Sequence, residues 1–213
     1  MSRKSQPDLF SDAPIDYRKP LNPARTAMRR KNPSPIARAL RETGFLAAHR
    51  VRTVLDYGCG VGRDVEYYRE LGLQAEGYDP HEPFGWSSLP TGCYDLVTNL
   101  FVFNVIADAV ERLELARILT ERTRPLGHLV IAARSPAAID AEARKKAWTP
   151  FGDGYLSSPS RATFQKGMLA AELRSYFGSA TLVAIPAAFG VSPEVSCIVL
   201  QRSEAESSGV RVP

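Results

Sequence analysis

The chain of 213 residues is poor in the residue types that hold metals and disulfides: it has three cysteines, Cys59, Cys93 and Cys197, and three histidines. An odd number of thiols without metal-ligand spacing excludes a disulfide scaffold and leaves no readable zinc site. It fits reduced thiols in a cytoplasmic protein. No run of 18 apolar residues occurs, so no membrane-spanning helix is expected. The opening Ser2-Arg3-Lys4-Ser5-Gln6-Pro7-Asp8 lacks the apolar stretch of a secretory leader. What remains is an ordinary globular composition, 44% apolar and 23% charged, long enough for one α/β domain with tails.

Charge is unevenly spread. Residues 1–52 hold 12 Lys/Arg and 4 Asp/Glu, a balance of +8, whereas the remaining 161 residues hold 15 and 19, a balance of −4. A basic N-terminal segment on a mildly acidic body is either a handle for a polyanion or a solvated, solubilising tail. Residues 1–20, with Pro7, Pro14 and Pro20, read as a disordered tail, and 203–213 as another. Between them, 21–202 reads as a single domain whose first part, 21–48, is a basic helical extension. Arg25, Arg29, Arg30 and Lys31 cluster there. Ser34 suits an N-cap and Pro35 the first helical position, with Gly44 closing the helix.

The most informative stretch is Thr53-Val54-Leu55-Asp56-Tyr57-Gly58-Cys59-Gly60-Val61-Gly62. An apolar strand ends in a carboxylate, a glycine turn follows, and an amphipathic helix runs from about 62 to 71 and stops at Gly72. Glycines let such a turn take positive φ and let backbone approach a ligand closely. The helix that follows aims its first N–H groups at the same place. The spacing is not the dinucleotide G-x-G-x-x-G, because the third glycine comes one residue early. Asp56 would also face a pyrophosphate badly but suits a ligand bearing an amine. S-adenosyl-L-methionine has no phosphate; it has an ammonium, a carboxylate, a sulfonium and a ribose. The next strand, Gln74 to Tyr78, leads into Asp79, 23 positions after Asp56, where a carboxylate binds ribose hydroxyls in nucleotide-binding α/β units. The bland alternative is a glycine turn in some other α/β protein, with both carboxylates as ordinary strand-end residues.

Further along, Pro80 to Gly92 reads as a loop too short to hold both a helix and a strand, with Phe84 and Trp86 as candidates either to stack on an adenine or to pack under the loop. Tyr94 to Asn99 reads as a strand, and 108–124 as a helix stopped by Pro125. Leu126 to Ala133 is another strand, with His128 at its far end and Arg134 at its carboxyl edge. A basic helix is expected over 136–147, a loop over 148–162 and a helix from Phe164 to Phe177 capped by Thr163. Two strands, 181–185 and 194–201, follow around a linker at 186–193. In open α/β sheets ligands sit at the carboxyl ends of strands. That makes Asn99, Asn104 and Arg134 candidate catalytic residues, with Tyr155 and Lys166 from the long loop and its end.

Val54-Leu55-Asp56-Tyr57-Gly58-Cys59-Gly60-Val61-Gly62 resembles the first motif of the class I S-adenosylmethionine-dependent methyltransferases. The resemblance implies a Rossmann-like, seven-stranded, mostly parallel α/β sheet closed by an antiparallel C-terminal hairpin, here with an abbreviated third-strand region. It also implies S-adenosyl-L-methionine as cofactor, with Asp56, Tyr57, Gly58, Cys59, Gly60, Gly62, Asp79, Pro80 and Asn99 as cofactor-binding residues. Thr26-Ala27-Met28-Arg29-Arg30 with Ser34-Pro35, Asn99 to Ile106 with Glu111-Arg112, and Thr163-Phe164-Gln165-Lys166 are similar to a narrower group. These are the methyltransferases found with DNA phosphorothioation gene clusters, and related phage proteins. That similarity is patchy over about 22–200 and implies proximity to nucleic-acid modification.

The chain departs from two familiar base-methylation signatures. After the Tyr94 strand it reads Asn99-Leu100-Phe101-Val102, without the paired prolines of exocyclic amino methylation, and it has no Pro-Cys nucleophile for cytosine carbon-5. Three readings stay open: a nucleic-acid methyltransferase using Arg25, Arg29, Arg30 and Lys31, a small-molecule O- or N-methyltransferase, and a non-catalytic cofactor-binding module.

Overall fold

Short branched-chain runs alternate sides along each strand, and this decides the layering. In the computed structural model, which describes residues 21–158, 163–178, 181–183 and 192–204, Val54, Leu96 and Val130 face one way, while Leu55, Val97 and Leu129 face the other. The elements in order are a 3₁₀ turn (Pro23–Thr26), α1 (Pro35–Glu42), α2 (Phe45–Ala48), β1 (Thr53–Tyr57), α3 (Arg63–Glu70) and β2 (Gln74–Tyr78). After a 3₁₀ turn (Glu82–Phe84) come β3 (Tyr94–Leu100), a 3₁₀ turn (Phe103–Val105), α4 (Ala109–Arg122), β4 (Thr123–Arg134) and α5 (Pro136–Lys146). The chain then forms β5 (Thr149–Phe151), β6 (Gly154–Ser158), β7 (Thr163–Gln165), α6 (Ala170–Ser175), β8 (Thr181–Val183) and β9 (Val195–Gln201).

The main sheet runs β2-β1-β3-β4-β9-β8. β1 is parallel to β2 and β3, and β3 to β4; β9 is antiparallel to both β4 and β8. The C-terminal antiparallel pair is therefore present as expected. Among the described residues the sheet has six strands rather than seven, because Pro80 to Cys93 holds only a 3₁₀ turn and irregular backbone. Parallel strands demand covered faces. Ile36, Leu40, Phe45, Val65 and Tyr68 from α1–α3 cover one. Leu115 and Leu119 of α4, with Leu173 and Phe177, cover the other.

The caps follow sequence chemistry. Ser34 Oγ accepts from Ala37 N at 3.0 Å with Pro35 in first position. Asp108 accepts from Val110 N at 2.7 Å ahead of α4.

Two expectations fail in the same place. The stretch 148–162 was expected as a loop, yet β5, β6 and β7 form a second, three-stranded antiparallel sheet. The helix expected from Phe164 begins instead at Ala170, and Thr163, expected to cap it, starts a strand. The reason is burial: Leu156 and Phe164 pair across the small sheet and are both nearly inaccessible, so alternation overrides helical propensity. The tails expected at 1–20 and 203–213, apart from Ser203 and Glu204, lie outside the described residues. So do most of the 186–193 linker and residues 159–162.

Candidate active site

β1 ends where its backbone folds back onto β2: Gly58 N and Cys59 N both donate to Tyr78 O, at 2.7 and 3.1 Å. The turn then needs positive φ at Gly58 (82°), Gly60 (57°) and Gly62 (84°), a region open to glycine without strain. Space adds a second restriction. A Cβ on Gly58 would run into Val102, and one on Gly62 would come within 2.6 Å of the Trp86 ring. Gly60 is different: its nearest neighbour is Ala27 Cβ at 4.0 Å, so the N-terminal segment crosses over the middle of the turn. Trp86 also packs on Gly77 beneath the Arg69 guanidinium, 5.5 Å from its ring centroid, which is the packing role expected for it as one alternative.

Three carboxylates surround this turn. Asp79 fastens it, taking Gly60 N on Oδ2 and His81 N on Oδ1, both at 3.0 Å; Pro80 beside it is exposed. Asp56 is buried and accepts from Thr98 Oγ1 at 2.7 Å. Burial above all, reinforced by the nearby Asp64 charge, pushes its carboxyl up from 3.8 to about 7. Asp64, in the first turn of α3 and 1% exposed, accepts from Ser34 N at 2.6 Å and from Arg30 at 3.3 Å. Burial also raises the Cys59 thiol and moves the Tyr57 phenol to about 12, so neither is a base at neutral pH.

The other candidates lie around the carboxyl end of β3 and the small sheet. Asn99 and Asn104 are both buried. Asn99 Nδ2 donates to Tyr57 O at 2.8 Å, tying it to the glycine turn. Asn104 Nδ2 donates to Gln165 Oε1 at 2.9 Å, and its carbonyl accepts from Lys166 N at 2.8 Å. Lys166 Nζ bridges Asp153 at 2.9 Å and Glu172 at 3.1 Å. Burial opposes its charge, but those two hydrogen bonds raise its pKa, so it stays an ammonium. Tyr155 donates to Asp140 at 3.0 Å, a bond that lifts its phenol. Arg134 pairs with Glu142 at 2.5 Å. Arg134 and Tyr155 line different cavities on α5. One, of about 380 Å³, includes Arg134, Lys145 and Glu194; the other, of about 390 Å³, includes Asp140, Asp153, Tyr155 and Gly167.

The structure thus joins Asp56, Asn99 and Asp79 around the turn, and Asn104 with Lys166 beside the small sheet, where Tyr155 pairs in register with Gln165 but gives its hydroxyl to Asp140, while Arg134 is held by Glu142 in a different cavity. Arg25, Arg29 and Lys31 are exposed, but Arg30 is engaged by Asp64. Sequence reasoning missed Asp64 and Asp153, and gave no role to Gln165 and Arg112, which it met only inside the stretches of the narrower resemblance. An acidic residue one turn into the helix after a glycine loop would have been a signal for Asp64. Arg112 is 1% exposed and donates to Asp153, to Tyr176 Oη at 3.0 Å and to Ile106 O at 2.9 Å; the Glu111-Arg112 pair of the narrower resemblance was its one signal.

The sequence profile of a methyltransferase domain matches residues 25–190, spanning the turn, β3 and the small sheet. The chain belongs to that methyltransferase domain family. No curated protein matches it. Solved structures share the fold. A protein of Pyrococcus horikoshii superposes with a TM-score of 0.64 at 14% identity, covering 78% of this chain and 89% of that one. An S-adenosylmethionine-dependent methyltransferase of Methanosarcina mazei gives 0.58 at 14% identity, over 72% and 93%. The CcbJ methyltransferase of Streptomyces caelestis gives 0.55 at 16% identity, over 80% and 91%. Among the described residues of this methyltransferase-family chain, no helix is long and apolar enough to cross a membrane, and no group of three or more His, Cys, Asp or Glu is placed to hold a metal ion.

Proposed function

We propose that the chain transfers a methyl group from S-adenosylmethionine to an acceptor carried by, or linked to, nucleic acid. The cofactor supplies an electrophilic methyl on a sulfonium. The residues of the turn fit it: left-handed glycines leave backbone free to approach a ligand, a Cβ on Gly60 would meet only Ala27 Cβ, at 4.0 Å, and Asp79 stands just past the end of β2 where ribose hydroxyls are held in such units. Asp56, Tyr57, Gly58, Cys59, Gly60, Gly62, Asp79, Pro80 and Asn99 form the cofactor side. Asp56, poised between its neutral and ionised forms near pH 7, suits an ammonium neighbour that would draw it to the carboxylate.

Asn104 and Lys166, with Arg134 and Tyr155 farther out, form the acceptor side. Lys166 stays charged and amides do not take protons, so the part of these groups is to orient the acceptor and hold charge rather than to act as base.

The observation that carries the nucleic-acid reading is the placement of Arg25, Arg29 and Lys31. All three are exposed, within four residues of Ala27, whose Cβ lies 4.0 Å from a Cβ built on Gly60, and this nearness in the chain to the glycine turn supports the reading. The similarity to proteins of phosphorothioation clusters supports the same reading. A small-molecule acceptor is the second reading, favoured by the cavity of about 390 Å³ at Tyr155 and Asp153.

The test incubates the protein with methyl-labelled cofactor and a deproteinised extract, then separates polymeric nucleic acid from small molecules. Label in nucleic acid, with uptake that falls steeply as salt rises and falls again in an Arg25→Glu, Arg29→Glu, Lys31→Glu variant, is expected. Label confined to small molecules would overturn the nucleic-acid reading.

A further inference from the structure

One face of α5 carries a cavity of its own. Ala138, Ala141, Glu142, Lys145 and Lys146 recur three and four residues apart, and with Arg134 and Glu194 they line the space of about 380 Å³. The two alanines leave room, and the charges follow toward the last turn. Glu142 accepts from Arg134 at 2.5 Å and from Lys146, so two cations share one carboxylate. Burial opposes the charge of Glu142, yet these two bonds hold its carboxyl below the usual range. Lys146 Nζ also stands over the Trp148 ring, 5.8 Å from its centroid. Lys145 and Glu194 are exposed, and neither has an ion-pair partner among the described residues. Three cations against two carboxylates leave a balance of +1, on a body whose residues 53–213 sum to −4. Hydrogen-bond donors are left over as well. Arg134 meets Glu142 through Nη1 alone, out of the five N–H groups of a guanidinium, and all three of an ammonium remain on Lys145.

We propose that this cavity is a phosphate-binding subsite built by Arg134, Lys145 and Lys146, and that it holds one backbone phosphodiester of the acceptor nucleic acid. The second half rests on the functional reading above and deepens it by naming a contact away from the N-terminal cations. A planar fork joined by two ammonium heads suits a tetrahedral anion, whereas a carboxylate is satisfied by the fork alone. A balance of +1 matches the single charge of a phosphodiester better than the −1.5 to −2 of a phosphomonoester, and the unpaired Glu194 carboxylate opposes the extra charge. The place fits too. Asp56 of β1 registers with Thr98 of β3, and Thr98 with Val130 of β4. Arg134 therefore stands two strands over and four residues further along, about 16 Å from Asp56 at ordinary strand spacings. One chain of nucleotides reaches both ends of that span.

The test measures binding of a fluorescent single-stranded oligothymidylate over a salt series. Loss of one phosphate contact makes the slope of log K against log salt shallower by about 0.7. A Lys145→Ala, Lys146→Ala variant is expected to show that change, with about tenfold weaker binding at low salt. Arg41→Ala, which removes an exposed cation from α1, should leave slope and affinity as they are. If the double variant does not fold, Lys145→Glu alone, at a side chain with no ion-pair partner to lose, should give the same loss. An unchanged slope in these variants, or an equal change in Arg41→Ala, overturns the proposal. Thymidine monophosphate separates the two sources of phosphate. If it binds the wild type and not the double variant while the oligonucleotide binds neither, the cavity is a phosphate site and the nucleic-acid reading falls. If neither probe binds the wild type, both fall.

Discussion

Around the glycine turn, the contacts that set the backbone stay within one strand–turn–helix–strand stretch: Gly60 to Asp79, 19 positions on, and Gly58 to Tyr78. Around the small sheet, contacts join residues far apart: Arg112 reaches Asp153, 41 positions on, and Asn104 reaches Gln165, 61 positions on. The first region is held by backbone geometry that local residue types dictate. The second is held by a charged network, Arg112–Asp153–Lys166–Glu172, that exists only once α4, the β5–β6 hairpin and the start of α6 have come together. One end of the site is thus a property of a short stretch of chain, the other a property of the assembled molecule.

The largest way to break this contrast is Arg112→Ala. It removes the hub, leaves Tyr176 Oη and Ile106 O without their donor and Asp153 with Lys166 alone, and should cost about 3 kcal/mol in denaturant unfolding. It should also loosen the small sheet in hydrogen exchange while sparing β1 and β2.

Asp56 comes next. The folded chain holds its proton to about pH 7, against an ordinary value of 3.8. Unfolding therefore releases a proton between these values, and stability falls as pH rises through that window. Asp56→Asn should flatten this slope, as measured by thermal melts from pH 4 to 7.

Gly58→Ala follows, at about 2 kcal/mol, since it combines a left-handed φ with a clash against Val102. Smallest of all is Arg117→Ala. Arg117 is paired with Glu114 and Glu121, yet all three side chains are about half exposed. Its loss should leave the denaturation midpoint essentially unchanged, because solvent screens such pairs. A large effect there, or a small one at Arg112, would reverse the ranking of the two regions.

The same contrast explains what was legible in the sequence. Asp56, the three glycines and Asp79 could be read because strand, turn and helix periodicities announce them within one contiguous stretch. α1 could be read from Ser34 and Pro35, and α5 from its run up to Ala147. The small sheet could not: Gly152 and Gly154 looked like loop residues, and the burial of Leu156 against Phe164 is a tertiary fact. Nor could the engagement of Arg30, which sits in a run of basic residues and differs from them only because Asp64 lies beneath it. The seventh strand of the family pattern is not found among the described residues, and the stretch expected to be abbreviated, Pro80 to Cys93, holds a 3₁₀ turn there.

That shortened stretch has a consequence at the rim of the sheet. With no strand beyond it among the described residues, β2 is an outer strand with one side of its backbone unpaired in the ladder. Such a row is a template on which a foreign strand can add. Here β2 is only five residues long, and the carboxylate of exposed Glu76 is turned inward, accepting from Tyr94 Oη of β3 at 2.8 Å. Shortness is thus what limits association at this rim, since so brief a ladder offers a foreign strand few backbone partners.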